Sequence, residues 1–262
     1  MSETIKAIQT QLKTILPDDE RLLVWRQDSR VGVQKAIQSW QKNQDRMAEK
    51  HDAFVHRFDI ENQYWAQGYR NIAGIDEVGR GPLAGPVIAA AVILPHHFDV
   101  MDVIDSKQLS AEKREDLYEK IMTQALAVGI GEVDANIIDD INIYEAARMA
   151  MTIAVSKLQL KAEVLLIDAM RLDLDIPQEF LIKGDARSNS IGAASIVAKV
   201  TRDRLMTDYG LKYPGYGFER NAGYGTKEHL QAIAMNGITP IHRKTFAPIK
   251  DMQSSIAKTP RD

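Results

Sequence analysis

Residues 71–94 read NIAGIDEVGRGPLAGPVIAAAVIL. The first six form a short apolar run closed by Asp76, and Glu77 follows directly. Val87 to Leu94 is a continuous apolar run of strand length. The Gly/Pro-rich VGRGPLAGP lies between them, so this stretch predicts strand, tight turn, strand. Working outward, Ala127 to Val133 predicts a third strand, and Val164 to Ile167 a buried one closed by Asp168. Phe180 to Ile182 begins another, ending at Asp185. Helices are expected from Ser110, as cap, to about Leu126, from Ile143 to Leu160, from Ser190 to Tyr209 and from Thr226 to about Met235. Strands first, then strands interleaved with helices, predict an α/β body with a mixed sheet.

The 262 residues carry 33 Lys/Arg against 36 Asp/Glu, a formal charge of −3. Such mild acidity gives no whole-chain footprint for a polyanion, so any nucleic-acid contact must be local. With 45% hydrophobic and 26% charged residues, the chain has the balance of a globular protein large enough for its own core. No apolar run is long enough for a transmembrane helix. The absence of cysteine excludes disulfides, thiol catalysis and Cys-ligated zinc, and suits a reducing cytoplasm. MSETIKAIQTQLKTILPDDE lacks a basic segment followed by an apolar one, so no secretory signal is expected.

Residues 1–70 hold 11 Lys/Arg and 10 Asp/Glu, the remainder 22 and 26, so a near-neutral extension precedes an acidic body. Ile5, Ile8, Leu12, Ile15 and Leu16 predict a helix broken at Pro17, and a second runs from about Arg30 through Trp40 to about Phe58. The expected domains are a helical extension, 1–70, and a body, 71–262, with a C-terminal helical region. Packing on the body, packing on a partner and a recognition role all remain open for the extension.

The acids carry the chemistry. One carboxylate at a strand end is commonly a cap or turn former. Asp76, Asp168 and Asp185 on separate predicted strands, with Glu77 doubling the first, are costly together unless a cation relieves their repulsion. Oxygen ligands select Mg²⁺ or Mn²⁺, and none of the six histidines lies in these segments, which disfavours zinc. The pattern favours phosphoryl chemistry with two metals roughly 3.5–4 Å apart. Gly79, Gly81 and Ala84 satisfy the spacing of a dinucleotide fingerprint, but Pro82 and Pro86 interrupt it and a strand follows where a helix is required. No GxxxxGK[ST] phosphate loop occurs. The glycines instead suit a backbone that a ligand approaches closely, with Arg80 available to a phosphate.

The ordered series IDEVGRGPLAGPV, DSKQLS (Asp105 to Ser110), LIDAM (Leu166 to Met170), KGDARSNSIGAASIVAKVTRD (Lys183 to Asp203), GYGTKEH (Gly223 to His229) and HRKTF (His242 to Phe246) resembles bacterial ribonuclease HII, the type 2 ribonuclease H. The resemblance spans roughly Ile72 to Ile249. It implies a ribonuclease H-like mixed five-stranded sheet flanked by helices, behind a helical N-terminal extension. It also implies hydrolysis of the RNA strand of RNA–DNA hybrids and nicking 5′ of single ribonucleotides embedded in duplex DNA, leaving 3′-hydroxyl and 5′-phosphate ends. By position, Asp76, Glu77, Asp168 and Asp185 match the catalytic acids that bind two divalent cations, Mn²⁺ or Mg²⁺. Gly79, Arg80 and Gly81 match the turn that senses the 2′-hydroxyl, and Tyr224 the tyrosine that stacks on the sugar. Many members have Gly after the aspartate of LIDAM, where this chain has Ala169. Lys107 and Lys183 are candidate phosphate contacts, with solvated surface as the other reading. His229 and His242 are expected to make structural hydrogen bonds.

Ribonuclease HIII differs in its turn and has a strand-rich N-terminal domain, while type 1 ribonuclease H has another motif order. A binding module that had lost chemistry would lack one of the four acids, and all four are present. A metal-dependent nuclease or phosphatase of other specificity is the remaining rival. The expected partners are RNA–DNA hybrid and ribonucleotide-containing duplex, with no membrane. The chain is expected to act as a cytoplasmic monomer, with a replication or repair protein as a further candidate partner.

Overall fold

The computed structural model describes residues 3–256, the side chains of 253–256 excepted; the extreme ends of the two expected domains, 1–2 and 257–262, lie outside the described residues. By packing, the chain divides into two compact units, Met1–His56 and Arg57–Asp262.

The first unit contains α1 (Ile5–Gln11), α2 (Arg21–Arg26) and α3 (Val31–His56). Thr4 caps α1 by accepting the Ala7 N–H at 3.2 Å. The first helix stops at Leu12, short of the expected break at Pro17. Ile8, Leu12, Ile15, Leu22, Trp25, Val33, Ile37 and Trp40 bury together as a small core of their own.

In the second unit, α4 (Asp59–Ala66) precedes the sheet strands β1 (Ile72–Val78), β2 (Val87–Ile93), β3 (Ala127–Val133), β4 (Val164–Asp168) and β5 (Gln178–Leu181). Their order is β3-β2-β1-β4-β5. The first three are antiparallel neighbours, and β4 and β5 add in parallel. This is the mixed five-stranded sheet. Alternation assigns its faces: Ala73 and Ile75 join Ala89, Ala91 and Ile93 in one core, while Ile72 packs with Val164, Leu166 and Ile191 on the other.

Helices cover both faces. Ser110 caps α5 (Ala111–Gln124), accepting the Lys113 N–H at 3.2 Å. The next helix, α6 (Ala135–Ser156), covers β3 and β2, and α7 (Asn189–Lys212) covers β1 and β2. Close approach needs glycine: a Cβ at Gly74 would lie 2.1 Å from the Ser190 carbonyl carbon of α7, and one at Gly131 1.9 Å from the Ala150 oxygen of α6. The C-terminal helical region comprises α8 (Phe218–Asn221), α9 (Lys227–Asn236, capped by Thr226) and α10 (Ile249–Ile256). Among the described residues no helix is long and apolar enough to cross a membrane.

Two strand assignments differ from expectation. Asp76 lies inside β1, paired with Ala90, because the ladder continues through Glu77 and Val78. Beyond Leu181 the chain leaves the sheet, so Asp185 sits in a 3₁₀ turn, Gly184–Ala186, instead of at a strand end. Phe180 and Ile182, the apolar residues that suggested a longer strand, are 62% and 69% exposed.

Candidate active site

Asp76 shares the parity of Ile72 and Gly74, which places it on the α7 face of β1. It is 6% exposed. One oxygen accepts the Glu77 N–H at 2.7 Å, and the nearby hydroxyl of Ser195, on α7, favours its charged form. Ser195 in turn lies 3.0 Å from the hydroxyl of buried Ser106, in the DSKQLS segment. Asp168 closes β4 and accepts the Gly184 N–H at 2.7 Å, which ties it to the turn carrying Asp185. Arg187 and Ser188 both donate their N–H to the Gly184 carbonyl, fixing that turn from the far side.

These carboxylates sense one another. Burial first, then the charges of Glu77 and Asp168, push Asp76 well above the ordinary carboxylate range. Burial and Asp168 lift Glu77 to about 7 against the opposing pull of Arg80. Burial, with Asp105 and Asp168, raises Asp185. Asp168 is thus the common neighbour of the other three. A Glu77 oxygen, Oε2, is buried without a hydrogen-bond partner, while Oε1 meets the Arg80 guanidinium at 3.4 Å. Among the described residues no group of three or more His, Asp or Glu stands ready-made to hold a metal ion. The arrangement is one of crowded, desolvated oxygens whose repulsion a proton or a hard cation would relieve.

Beside the acids runs the glycine turn. Gly79 adopts φ +94°, and a Cβ there would come within 2.3 Å of Arg202 Nε. Gly81 is exposed, and a Cβ there would meet only Tyr224 Cε1 at 3.5 Å. The turn therefore opens toward the ring of Tyr224, which is 45% exposed. Leu83 and Ala84 donate to the Gly223 carbonyl at 2.8 and 3.3 Å, joining the turn to the tyrosine loop. Lys107 and Lys183 are both exposed and form no ion pair among the described residues. The charge of Lys107 reaches Asp185, whereas Lys183 serves locally as the φ +56° residue opening the Asp185 turn.

The ribonuclease HII family model matches residues 73–249, and a ribonuclease HII N-terminal domain model matches residues 4–65. The chain belongs to the ribonuclease HII family. Ribonuclease HII of Leuconostoc mesenteroides is 72% identical over 252 residues, covering 96% of this chain and all of that protein. The crystal structure of ribonuclease H2 from Pyrococcus horikoshii is 25% identical with a TM-score of 0.63, covering 72% of this chain and all of that one. Ribonuclease HII of Archaeoglobus fulgidus, whose structure is a complex with PCNA, is 26% identical with a TM-score of 0.57 over 67% of this chain and 95% of that one. As a ribonuclease HII, the chain is a ribonuclease H: an endonuclease for the RNA strand of RNA–DNA hybrids.

Sequence reasoning missed how this ribonuclease HII holds its turn. Arg243 and Arg202 are completely buried, and among the described residues neither guanidinium forms an ion pair. Arg243 donates to the carbonyls of Gly79 (2.5 Å), Arg80 (2.9 Å) and Gly85 (2.8 Å). Arg202 donates to Pro86 (2.9 Å), Ala222 (2.9 Å) and Ala84 (3.1 Å). Burial draws their pKa values down to about 9 and about 10. Two cations behind the turn supply a positive field that the net charge of the chain conceals. A signal existed for Arg202, which follows Ser195 and Ala198 on a face of α7 that is otherwise buried and small. Glu61 was also missed: from α4 it accepts the Ser188 hydroxyl at 2.7 Å and the Ser190 N–H at 3.1 Å, capping α7 beside the Asp185 turn.

Proposed function

We propose that this enzyme, besides cutting hybrids, nicks duplex DNA 5′ of a single embedded ribonucleotide, leaving 3′-hydroxyl and 5′-phosphate ends. We further propose that Asp76, Glu77, Asp168 and Asp185 hold two divalent cations, Mg²⁺ or Mn²⁺. The observation that carries this reading is the orphaned, buried Glu77 oxygen with the charges of Asp76 and Asp168 pressed around it. Such a site costs free energy until it is neutralised, and an all-oxygen donor set fits hard dications. Asp76 would be shared, Glu77 and Asp168 would complete one ion's ligands, and Asp185 would serve the other. Bound dications would supply an activated water and charge stabilisation for the leaving 3′-oxygen.

The chain's own groups do the remaining work. The Gly184 N–H fixes one oxygen of Asp168 and so orients the other. Arg80, half-exposed beside Glu77, offers a guanidinium to a phosphate. Gly81 leaves its side of the turn open, so backbone groups can reach the 2′-hydroxyl, the chemical handle that separates RNA from DNA at one nucleotide. Tyr224 offers a half-exposed ring face to the neighbouring sugar. The archaeal relative bound to PCNA supports a replication or repair clamp as the partner class.

A substrate panel tests the reading: a duplex with one ribonucleotide, a full hybrid and all-DNA duplex, each with Mn²⁺ or Mg²⁺. Cleavage of the first two but not the third is expected, and Asp76→Asn should lower turnover by about 10³-fold or more with affinity largely kept. Cleavage of all-DNA duplex, or near-normal turnover by Asp76→Asn, would displace it in favour of a general nuclease or another ligand set.

A further inference from the structure

Two buried histidines behind Tyr224 are not used by this mechanism. His229, on α9, is 0% exposed and His242 1%. Their rings pack among Tyr216 and Phe218, with centroids 5.2 Å apart for Phe218–His229 and 5.4 Å for Tyr216–His242. Their Nε2 atoms lie 3.0 Å apart.

The outer partners fix where each proton sits. The backbone N–H of Thr239 points to His242 Nδ1 at 2.8 Å, and an N–H can only donate, so Nδ1 is unprotonated and His242 carries its proton on Nε2. At the other end, His229 Nδ1 lies 2.9 Å from the Tyr224 carbonyl, which can only accept, so that nitrogen carries the proton and Nε2 is bare. The Nε2–H of His242 therefore donates to Nε2 of His229. Both ends demand the same direction, and one chain of hydrogen bonds runs Thr239, His242, His229, Tyr224. The backbone of His242 meanwhile bridges Ala84 in the glycine turn, and the adjacent Arg243 N–H donates to Leu83 at 2.8 Å. His242 thus touches both halves of the ribose-facing surface: the turn through its backbone, and Tyr224 through His229.

We propose that His229 and His242 are positioning residues for ribonucleotide recognition, their ordered hydrogen bonds setting the Tyr224 loop in register with Gly81. This rests on the reading of Tyr224 as a sugar contact. Neutral rings are required, because a proton added to His229 Nε2 would face the N–H of His242 and break the link. Arg243, next in sequence to His242, is a cation and offers no acceptor; the other charged or titratable groups near the pair are Glu228, which pairs with Arg220, and Tyr216, whose hydroxyl donates to the Gly237 carbonyl at 2.8 Å. Neither supplies an acceptor that would hold the extra proton.

A double-mutant cycle in the full-length enzyme tests the proposal, using the single-ribonucleotide duplex with Mn²⁺. Asn at 242 keeps an acceptor for Thr239 but cannot reach His229. Tyr224→Ala is expected to lower kcat/KM roughly tenfold, and His242→Asn several-fold. The double variant should be no worse than Tyr224→Ala alone. Additive losses would overturn the positioning role while leaving Tyr224 as a contact. A harmless Tyr224→Ala would overturn both readings. Imidazole ¹⁵N spectra of the wild-type enzyme at neutral pH provide a second measurement that needs no variant to fold. An Nδ1–H tautomer for His229 and an Nε2–H tautomer for His242 are expected, and the reverse assignment, or a protonated ring, would overturn the ordered chain.

Discussion

Ala169 adopts φ +49° immediately after Asp168, a conformation in which the Cβ of an L-residue crowds its own backbone. Glycine would carry no such penalty at this position. Ala169→Gly is therefore expected to stabilise the protein by about 1 kcal/mol with the ligand left in place. A thermal melt checks this, and an unchanged or lower midpoint would reject it. The two glycines of the turn separate in the same way. Gly79→Ala meets Arg202 and a positive φ, so a loss of about 3 kcal/mol is expected. Gly81→Ala has room to fold and should melt like the parent while cutting the single-ribonucleotide duplex less well than the parent does. Equal melting points for the two variants would refute the distinction. At this scale the acids and glycines were legible because a carboxylate after an apolar run and clustered glycines are both conspicuous. Arg243 was not, because nothing in an isolated arginine says that its partners are backbone carbonyls, and Arg202 showed only as a charge on an otherwise buried face of α7.

The sheet elements were readable from their apolar runs, and their boundaries failed where burial stopped following hydrophobicity. β1 continues through two carboxylates because β2 offers Ala89 and Ala90 as small partners for them. The reading of α6 began at Ile143 for a local reason. Asn142 breaks the helix at φ 68°, and its side chain accepts the N–H groups of Tyr144 and Glu145 at 2.9 and 3.2 Å, acting as a second cap. The earlier half starts at its own cap, Asp134, which binds the N–H groups of Asn136 and Ile137. Contact between β1 and α7 is backbone on backbone at Gly74, so Gly74→Ala must lift the helix that carries Ser195. A cost of about 3 kcal/mol or more is expected. The urea midpoint should fall accordingly, and a shift within error would show that α7 can move aside freely.

For the whole molecule, the titrating groups set opposing pH slopes. Glu77 is raised from 4.5 to about 7, so its contribution to metal-free stability is full below about 4.5 and is lost as pH rises through about 7. His242 is lowered from 6.5 to about 4, so its contribution is full above about 6.5 and is lost as pH falls through about 4. At the proposed metal site a dication would take the place of protons on the carboxylates, so its binding is expected to strengthen as pH rises. The Mn²⁺-induced rise in melting temperature is expected to be larger at about pH 8 than at about pH 6, and equal rises in melts with Mn²⁺ or chelator would count against the cluster as the site. One consequence of the Glu61 contact bears on how such a protein can be recombined. A chimaera joined after Ala66 would discard the carboxyl group that accepts the Ser188 hydroxyl and the Ser190 N–H at the start of α7, although the loss would fall outside the region by which the nuclease fold is recognised. A splice ahead of Arg57 keeps that group with the helix it serves, and is the safer seam for grafting a different leading module.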